Sequence, residues 1–182
     1  MNIYLIGMMA SGKSFVGNLL ALKLNYNFCD TDKLIENKYH KSIAEIINLN
    51  GVEFFRCVEH EMLKVLSSCV DTVIATGGGI VLLSDNVALM KENGLLVYLN
   101  VGLDTLKKRL SPEEIIKRPL LKEYSLENLF AERKRIYEDI CDISLCCEGL
   151  SLVDTCSQLA AMIKKHIENG SFVGNRFLPY IY

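Results

Sequence analysis

The chain has 182 residues, half of them apolar, with 20 Lys and Arg against 22 Asp and Glu and a net charge of −2. That length and apolar content suit one compact domain with a sizeable core and exclude a largely disordered chain. A near-neutral sequence with no basic block does not suit nucleic acid as the main partner, and no apolar run reaches transmembrane length.

The first element is a short apolar, β-rich run, Asn2-Ile3-Tyr4-Leu5-Ile6, read as a strand rather than as a signal peptide. Gly7-Met8-Met9-Ala10-Ser11-Gly12-Lys13-Ser14 follows, and an apolar helical pattern runs from Phe15 to Leu24. The middle segment satisfies G-x-x-x-x-G-K-[ST], the phosphate loop. A strand that turns through glycines into a helix aims successive backbone N–H groups and the positive helix end at one point. That point is an anion site for nucleotide phosphates. Lys13 is placed to reach the β- and γ-phosphates, and the Ser14 hydroxyl to ligate Mg²⁺. The expected ligand is a nucleoside triphosphate, held by Met9, Ala10, Ser11, Gly12, Lys13, Ser14 and Phe15.

Further along, Asn27-Phe28-Cys29 is a brief strand ending at Asp30-Thr31-Asp32. Ser42-Ile43-Ala44-Glu45 is a capping box for a short helix that stops near Gly51, and a longer helix runs from about Val52 to Ser67. Thr72 to Thr76 is a buried-type strand running into Gly77-Gly78-Gly79, and Ser84 or Asp85 caps a helix closed by Gly94. Leu95 to Leu99 is the next strand, and Asp104 to Leu110 a helix. Ser111 to Tyr124, with two prolines and several charges, is read as a mobile loop. Ser125 to Asp139 is helical, Ile143 to Cys146 a strand and Asp154 to Glu168 a last helix. Strands separated by helices of this length predict βαβ units and a parallel sheet covered on both faces. Residues 1–169 form the expected single domain, and 170–182 fall outside the alternation with no assigned role.

The seven cysteines show neither a C-x-x-C nor a Cys/His ligand spacing, and Cys146 and Cys147 are adjacent. They read as reduced thiols of a cytoplasmic protein. His40, His60 and His166 are widely separated, which does not suit a metal site.

In an open α/β sheet the working cleft lies at the carboxyl ends of the strands. Two strand ends besides the phosphate loop carry unusual chemistry here. In Asp30-Thr31-Asp32, one carboxylate suits a water-mediated contact to Mg²⁺ and the other suits accepting a proton from an attacking hydroxyl. A helix N-cap with a charged first turn explains Asp32 equally well. Gly77-Gly78-Gly79 suits either close backbone approach to a ligand or a loose turn. Six arginines stand out against a lysine-rich surface, because guanidinium is the group for bidentate anion recognition. Arg118 lies in the Pro-flanked loop. Arg56 is open to a plain ion pair with Glu59, three residues on.

Taken together, these motifs resemble the shikimate kinase family. The resemblance rests on the phosphate loop, Asp30-Thr31-Asp32, Phe54-Phe55-Arg56 with Glu59, Thr76-Gly77-Gly78-Gly79, Arg118-Pro119-Leu120-Leu121, and Glu132-Arg133 with Tyr137. Their order and spacing cover about residues 1–157. The resemblance implies a three-layer, nucleoside-monophosphate-kinase-like fold with a five-stranded parallel sheet. It also implies a substrate-binding segment at about 32–61 and a lid at about 111–124. The reaction implied is ATP + shikimate → 3-phosphoshikimate + ADP, in aromatic amino-acid biosynthesis, with Mg²⁺, by a cytoplasmic monomer without nucleic-acid or membrane partners.

By the same resemblance, Asp32 holds the shikimate hydroxyls and serves as base, and Asp30 fixes Mg²⁺ through water with Ser14 as direct ligand. Arg56 and Arg133 clamp the substrate carboxylate, and Gly77, Gly78 and Gly79 supply backbone contacts to substrate. Lys13 and Arg118 reach the phosphates, Arg109 flanks the adenine, and Glu59 orients Arg56. Three features depart from the family pattern. Lys134-Arg135-Ile136 precedes Tyr137, so Arg135 competes with Arg133 for the clamp. The third strand has no Walker-B aspartate. The match near Asp154-Thr155-Cys156-Ser157, where adenine contacts are expected, is loose. A gluconate kinase shares fold and phosphate loop but suits a two-arginine clamp less well. A nucleoside-monophosphate kinase needs a base pocket that no segment supplies. A GTPase needs an N-K-x-D motif, which Asn37-Lys38-Tyr39-His40 does not meet.

Overall fold

The computed structural model describes residues 1–111, 115, 118, 119, 121 and 124–169. The tail from 170 on and most of the segment expected to be mobile lie outside the described residues. In chain order the elements are β1 (Asn2–Ile6), α1 (Lys13–Leu24), β2 (Asn27–Asp30), α2 (Thr31–Tyr39), α3 (Ile43–Asn50) and α4 (Val52–Ser67). There follow β3 (Thr72–Ala75), a 3₁₀ turn (Ile80–Leu82), α5 (Ser84–Asn93), β4 (Gly94–Asn100) and α6 (Leu103–Arg109). The last three are α7 (Leu126–Ile140), β5 (Ile143–Cys146) and α8 (Leu152–Glu168).

The five strands form one parallel sheet in the order β2-β3-β1-β4-β5. Every residue of β1 and β3 is buried, as expected for central strands covered on both faces, and after Asn2 and Thr72 both read as apolar runs. At the edge, β5 alternates, with Ile143 and Leu145 inward and Ser144 and Cys146 outward. The connection β1–α1–β2 crosses the sheet one way, whereas β3–α5–β4 crosses it the other way. Right-handed crossovers therefore put α1 and α5 on opposite faces. α8 packs against α1, while α4 packs against α5 and α7 against β4, completing three layers. No helix among the described residues is long and apolar enough to cross a membrane.

Two local expectations are corrected. Thr31 to Tyr39 is a helix the chain pattern did not announce. Its hydrophobic face is short, with Ile35 its one fully buried apolar residue. α5 has Leu83 at its N-cap with no side-chain cap, so neither Ser84 nor Asp85 serves there. Gly94 closes α5 as expected, as its C-cap, and in an extended conformation it also opens β4 beside Asn2. The capping box at Ser42 and Glu45 forms as expected, with both of its hydrogen bonds present.

The main core gathers around β1 and β4, with Leu20 from α1, Tyr137 from α7 and Ile163 from α8. A second, smaller cluster of Ile35, Ile46, Phe55 and Val58 joins α2, α3 and α4 apart from it. This satellite core is what holds the helical segment over the sheet's carboxyl edge. Ile46→Ala should cost about 2–5 kcal/mol locally. Amide exchange should then accelerate across residues 31–58 more than in β1 and β4. A uniform acceleration would mean that the two clusters unfold as one.

Candidate active site

The phosphate loop joins β1 to α1 as its sequence demands. Gly12, at the N-cap of α1, has φ 96°, a left-handed geometry that any side chain would strain. Lys13 is buried, and its Nζ donates to the Gly7 carbonyl at 2.8 Å, the Met8 carbonyl at 2.7 Å and Ser11 Oγ at 3.3 Å. Burial pulls this ammonium down to about 8, with the charge of Asp32 opposing the shift. Ser14 Oγ donates to Asp30 Oδ2 at 2.5 Å.

The two aspartates divide the work left open by the sequence. Asp30 is the N-cap of α2, its Oδ1 accepting from Lys33 N at 3.1 Å, so the capping role belongs to Asp30 and not to Asp32. Asp32 sits in the first turn of α2, and its buried Oδ1 has no hydrogen-bond partner among the described residues. Burial raises its pKa, and Asp30 pushes it the same way, while Lys13 and Arg118 oppose.

The glycine turn after β3 is a device for close approach. Thr76 ties it to β1, with backbone N and Oγ1 both donating to the Leu5 carbonyl, at 3.2 and 2.9 Å. Gly77 N donates to Thr31 Oγ1 at 3.0 Å. A Cβ on Gly77 would lie 2.5 Å from Glu59 Oε1 and 2.9 Å from Asp32 Oδ1, and one on Gly79 would overlap the Arg56 guanidinium. Gly78 lies against the phosphate loop, where a Cβ would be 3.3 Å from Met9 N. Side chains on this turn would displace the charged groups that surround it.

Arg56, in the second turn of α4, is ion-paired with Glu59, which is 1% exposed. Burial lifts Glu59 to about 7, with the Arg56 charge and hydrogen bond pulling the other way. Arg133 on α7 is 3% exposed and its Nε has no partner among the described residues. Arg135 points outward, 89% exposed and 3.9 Å from Asp139, so the two arginines occupy different faces of α7 and only Arg133 faces the cavity. Arg109 ends α6 with NH1 3.3 Å from both the Ala10 and Ser11 carbonyls. Leu152, at the start of α8, is the other side chain nearest Gly12. Asp154 to Ser157 instead lie within α8, where Thr155 and Cys156 are buried and Ser157 Oγ accepts from Lys23 at 3.0 Å.

Two adjoining cavities result. One, of about 290 Å³, is lined by Met9, Ala10, Gly12, Lys13, Ser14, Phe15, Asp30, Asp32, Thr76, Gly78 and Arg118. The other, of about 360 Å³, is lined by Asp32, Arg56, Glu59, Gly77, Gly78, Gly79, Arg118 and Arg133, with an apolar wall that includes Ile43, Ile47 and Phe55. They share Met9, Asp32, Gly78 and Arg118. Among the residues expected at the nucleotide, Ser11 and Arg109 back the first cavity rather than line it. The sequence did not single out Thr31, Thr76 or the apolar wall. Thr31 lies between two aspartates already under suspicion, and Thr76 and Phe55 stand inside quoted motifs, whereas Ile43 and Ile47 carried no such signal. Such an arrangement accepts a polyphosphate on one side and a small anionic, hydroxylated molecule on the other, with Asp32 between them.

The comparisons with known proteins agree with this geometry. The family model for shikimate kinase matches residues 9–165. A shikimate kinase from Persephonella marina is 38% identical over 165 residues, which is 90% of this chain and 99% of the relative. One from Sulfurihydrogenibium sp. (strain YO3AOP1) is 44% identical over 138 residues, or 75% and 82% of the two chains. The solved structure of shikimate kinase from Acinetobacter baumannii in complex with shikimate is 31% identical, with a TM-score of 0.81 and 94% of each chain covered. A family match over most of the chain, with a relative 38% identical over 90% of it, places this chain in the shikimate kinase family.

Proposed function

We propose that the chain transfers the γ-phosphoryl group of ATP to the 3-hydroxyl of shikimate, giving 3-phosphoshikimate and ADP. The observation that carries this reading is the seam between the cavities, where Asp32 and Arg118 face both. The smaller cavity takes the triphosphate on the phosphate-loop N–H groups, with Lys13 turning from its loop carbonyls to the β- and γ-phosphates. Ser14 Oγ and Asp30 Oδ2 are paired hard oxygen donors and fit Mg²⁺. Among the described residues no cluster of three or more His, Cys, Asp or Glu forms a metal cage, which suits an ion held largely by nucleotide oxygens and water. Mg²⁺ would neutralise charge on the phosphates.

In the larger cavity, Arg56 and Arg133 clamp the substrate carboxylate and the Gly77–Gly79 backbone supports the ring. Asp32, its Oδ1 unpaired and its pKa raised, accepts the proton of the attacking hydroxyl. Arg118, in the lid segment 111–124, stabilises the charge that develops on the transferring group. Residues 32–61 form the substrate-binding segment. The chain is read as a cytoplasmic monomer working on two small molecules. A coupled ADP-release assay comparing shikimate, gluconate and AMP tests the reading, and activity with gluconate or AMP but not shikimate would overturn it.

The clamp separates this reading from other small kinases. Removing either Arg56 or Arg133 should cost about 2–5 kcal/mol, since the partner charge is left buried and unpaired. That corresponds to roughly 30- to several-thousand-fold in kcat/KM for shikimate. ATP affinity measured alone should barely change. Wild type should also lose activity on the neutral amide of shikimate, and equal turnover of amide and acid would refute the clamp. Lys13→Ala should lower kcat by orders of magnitude with little change in Tm, because phosphoryl transfer depends on positioning and charge stabilisation.

Stability should also carry the mark of Glu59. Its carboxyl titrates near 4.5 when unfolded and near 7 when folded. Between those values the folded chain binds more protons than the unfolded one, so stability falls as pH rises through that window. Without ligands, Tm should decline from pH 4.5 to 7, and Glu59→Gln should reduce that slope. Parallel curves for the two proteins would contradict it.

A further inference from the structure

Tyr137 is fully buried where the two halves of the site meet, and no step above uses it. Its hydroxyl donates to the Gly78 carbonyl at 2.5 Å and lies 3.9 Å from Met8 Sδ in the phosphate loop. The two loops touch here through backbone, since a Cβ on Gly78 would stand 3.3 Å from Met9 N and 3.4 Å from Gly7 O. The ends of the glycine turn are tied elsewhere, Gly77 N to Thr31 Oγ1 at 3.0 Å and the Ile80 carbonyl to Asn86 Nδ2 at 3.0 Å. Only the Tyr137 hydroxyl, among the described side chains, holds the middle of the turn at Gly78. Burial raises its pKa further above the ordinary tyrosine value, so the group stays a donor. The ring stacks on Tyr98 with centroids 5.1 Å apart, which fixes where the hydroxyl points.

We infer that Tyr137 is a positioning residue that sets the offset between the glycine turn, which bears the acceptor, and the phosphate loop, which bears the donor. The inference rests on the kinase reading above. A run of three glycines has little stiffness of its own. Without the hydroxyl, the Gly78 carbonyl is left unpaired in a buried place, and the turn shifts to satisfy it. The acceptor hydroxyl then leaves its line of attack while both ligands still bind.

Tyr137→Phe removes the hydroxyl and keeps the ring and its stack. A misplacement of about 1 Å can cost on the order of 100-fold in rate, so kcat for shikimate phosphorylation should fall about ten- to a hundredfold. ATP affinity without shikimate should stay within about twofold, and Tm should hold. With the nucleotide site intact and the acceptor displaced, a larger share of ATP should pass to water, giving ADP and inorganic phosphate in place of phosphoshikimate. Tyr98→Phe, which removes the hydroxyl on the other ring of the stack, should behave as wild type. The inference fails if Tyr137→Phe keeps kcat within about threefold and the same product ratio. It also fails if ATP affinity drops in step with kcat/KM, or if Tyr98→Phe shows the same loss, since either result marks a packing role. Wild type that does not phosphorylate shikimate would instead bring down the kinase reading, before any variant is compared.

Discussion

Two adjacent strands, β1 and β3, end side by side with their chains leaving in opposite directions. That crevice is the constraint on which the site depends. Thr76 fixes its start by sending two hydrogen bonds to the Leu5 carbonyl, which ties the entry of the glycine turn to the end of β1. From there each charged group finds its place by the shortest route. The helix capped by Asp30 presents Asp32, α4 presents Arg56 and Glu59, and α7 presents Arg133. The two cavities adjoin where the Gly78 backbone lies against Met9, and both residues line both of them.

The site carries a cost in stability. Asp32 Oδ1, Arg118 Nε and Arg133 Nε are buried atoms without hydrogen-bond partners among the described residues. Each such group costs about 1–3 kcal/mol in a folded protein. Glu59 adds a carboxyl that burial pushes far from its ordinary titration. Groups of this kind persist where a ligand completes their hydrogen bonding. Ile43, Ile47 and Phe55 line the same cavity, so a molecule bound there would meet apolar as well as charged groups.

What the sequence disclosed follows from what sequence can encode locally. The phosphate loop, the capping box at Ser42 and the apolar runs of β1 and β4 are short-range patterns, and each formed as read. The roles of Asp30 and Asp32 were not separable by pattern, because both satisfy the rule for an N-cap. Only the contact of Asp30 with Lys33 N tells them apart. Likewise Arg133 and Arg135 differ by two positions on one helix, and burial of one face selects between them. The start of α2 is signalled by an aspartate cap, but its extent is not, because a single buried isoleucine gives almost no periodic signal. The three glycines were ambiguous until Glu59, Asp32 and Arg56 were seen packed where their side chains would be.

The hold of Lys13 on its own loop also acts as a selection on charge. Its ammonium already has two carbonyls and a hydroxyl as partners, so a newcomer must offer more than neutral oxygens do. A nucleoside without phosphates brings no such compensation and leaves the lysine where it is. A polyphosphate supplies several negative oxygens at once, and drawing Lys13 toward them raises its proton affinity as it strengthens binding. The loop is thus set to ignore the base-and-sugar portion of its ligand until the anionic end arrives.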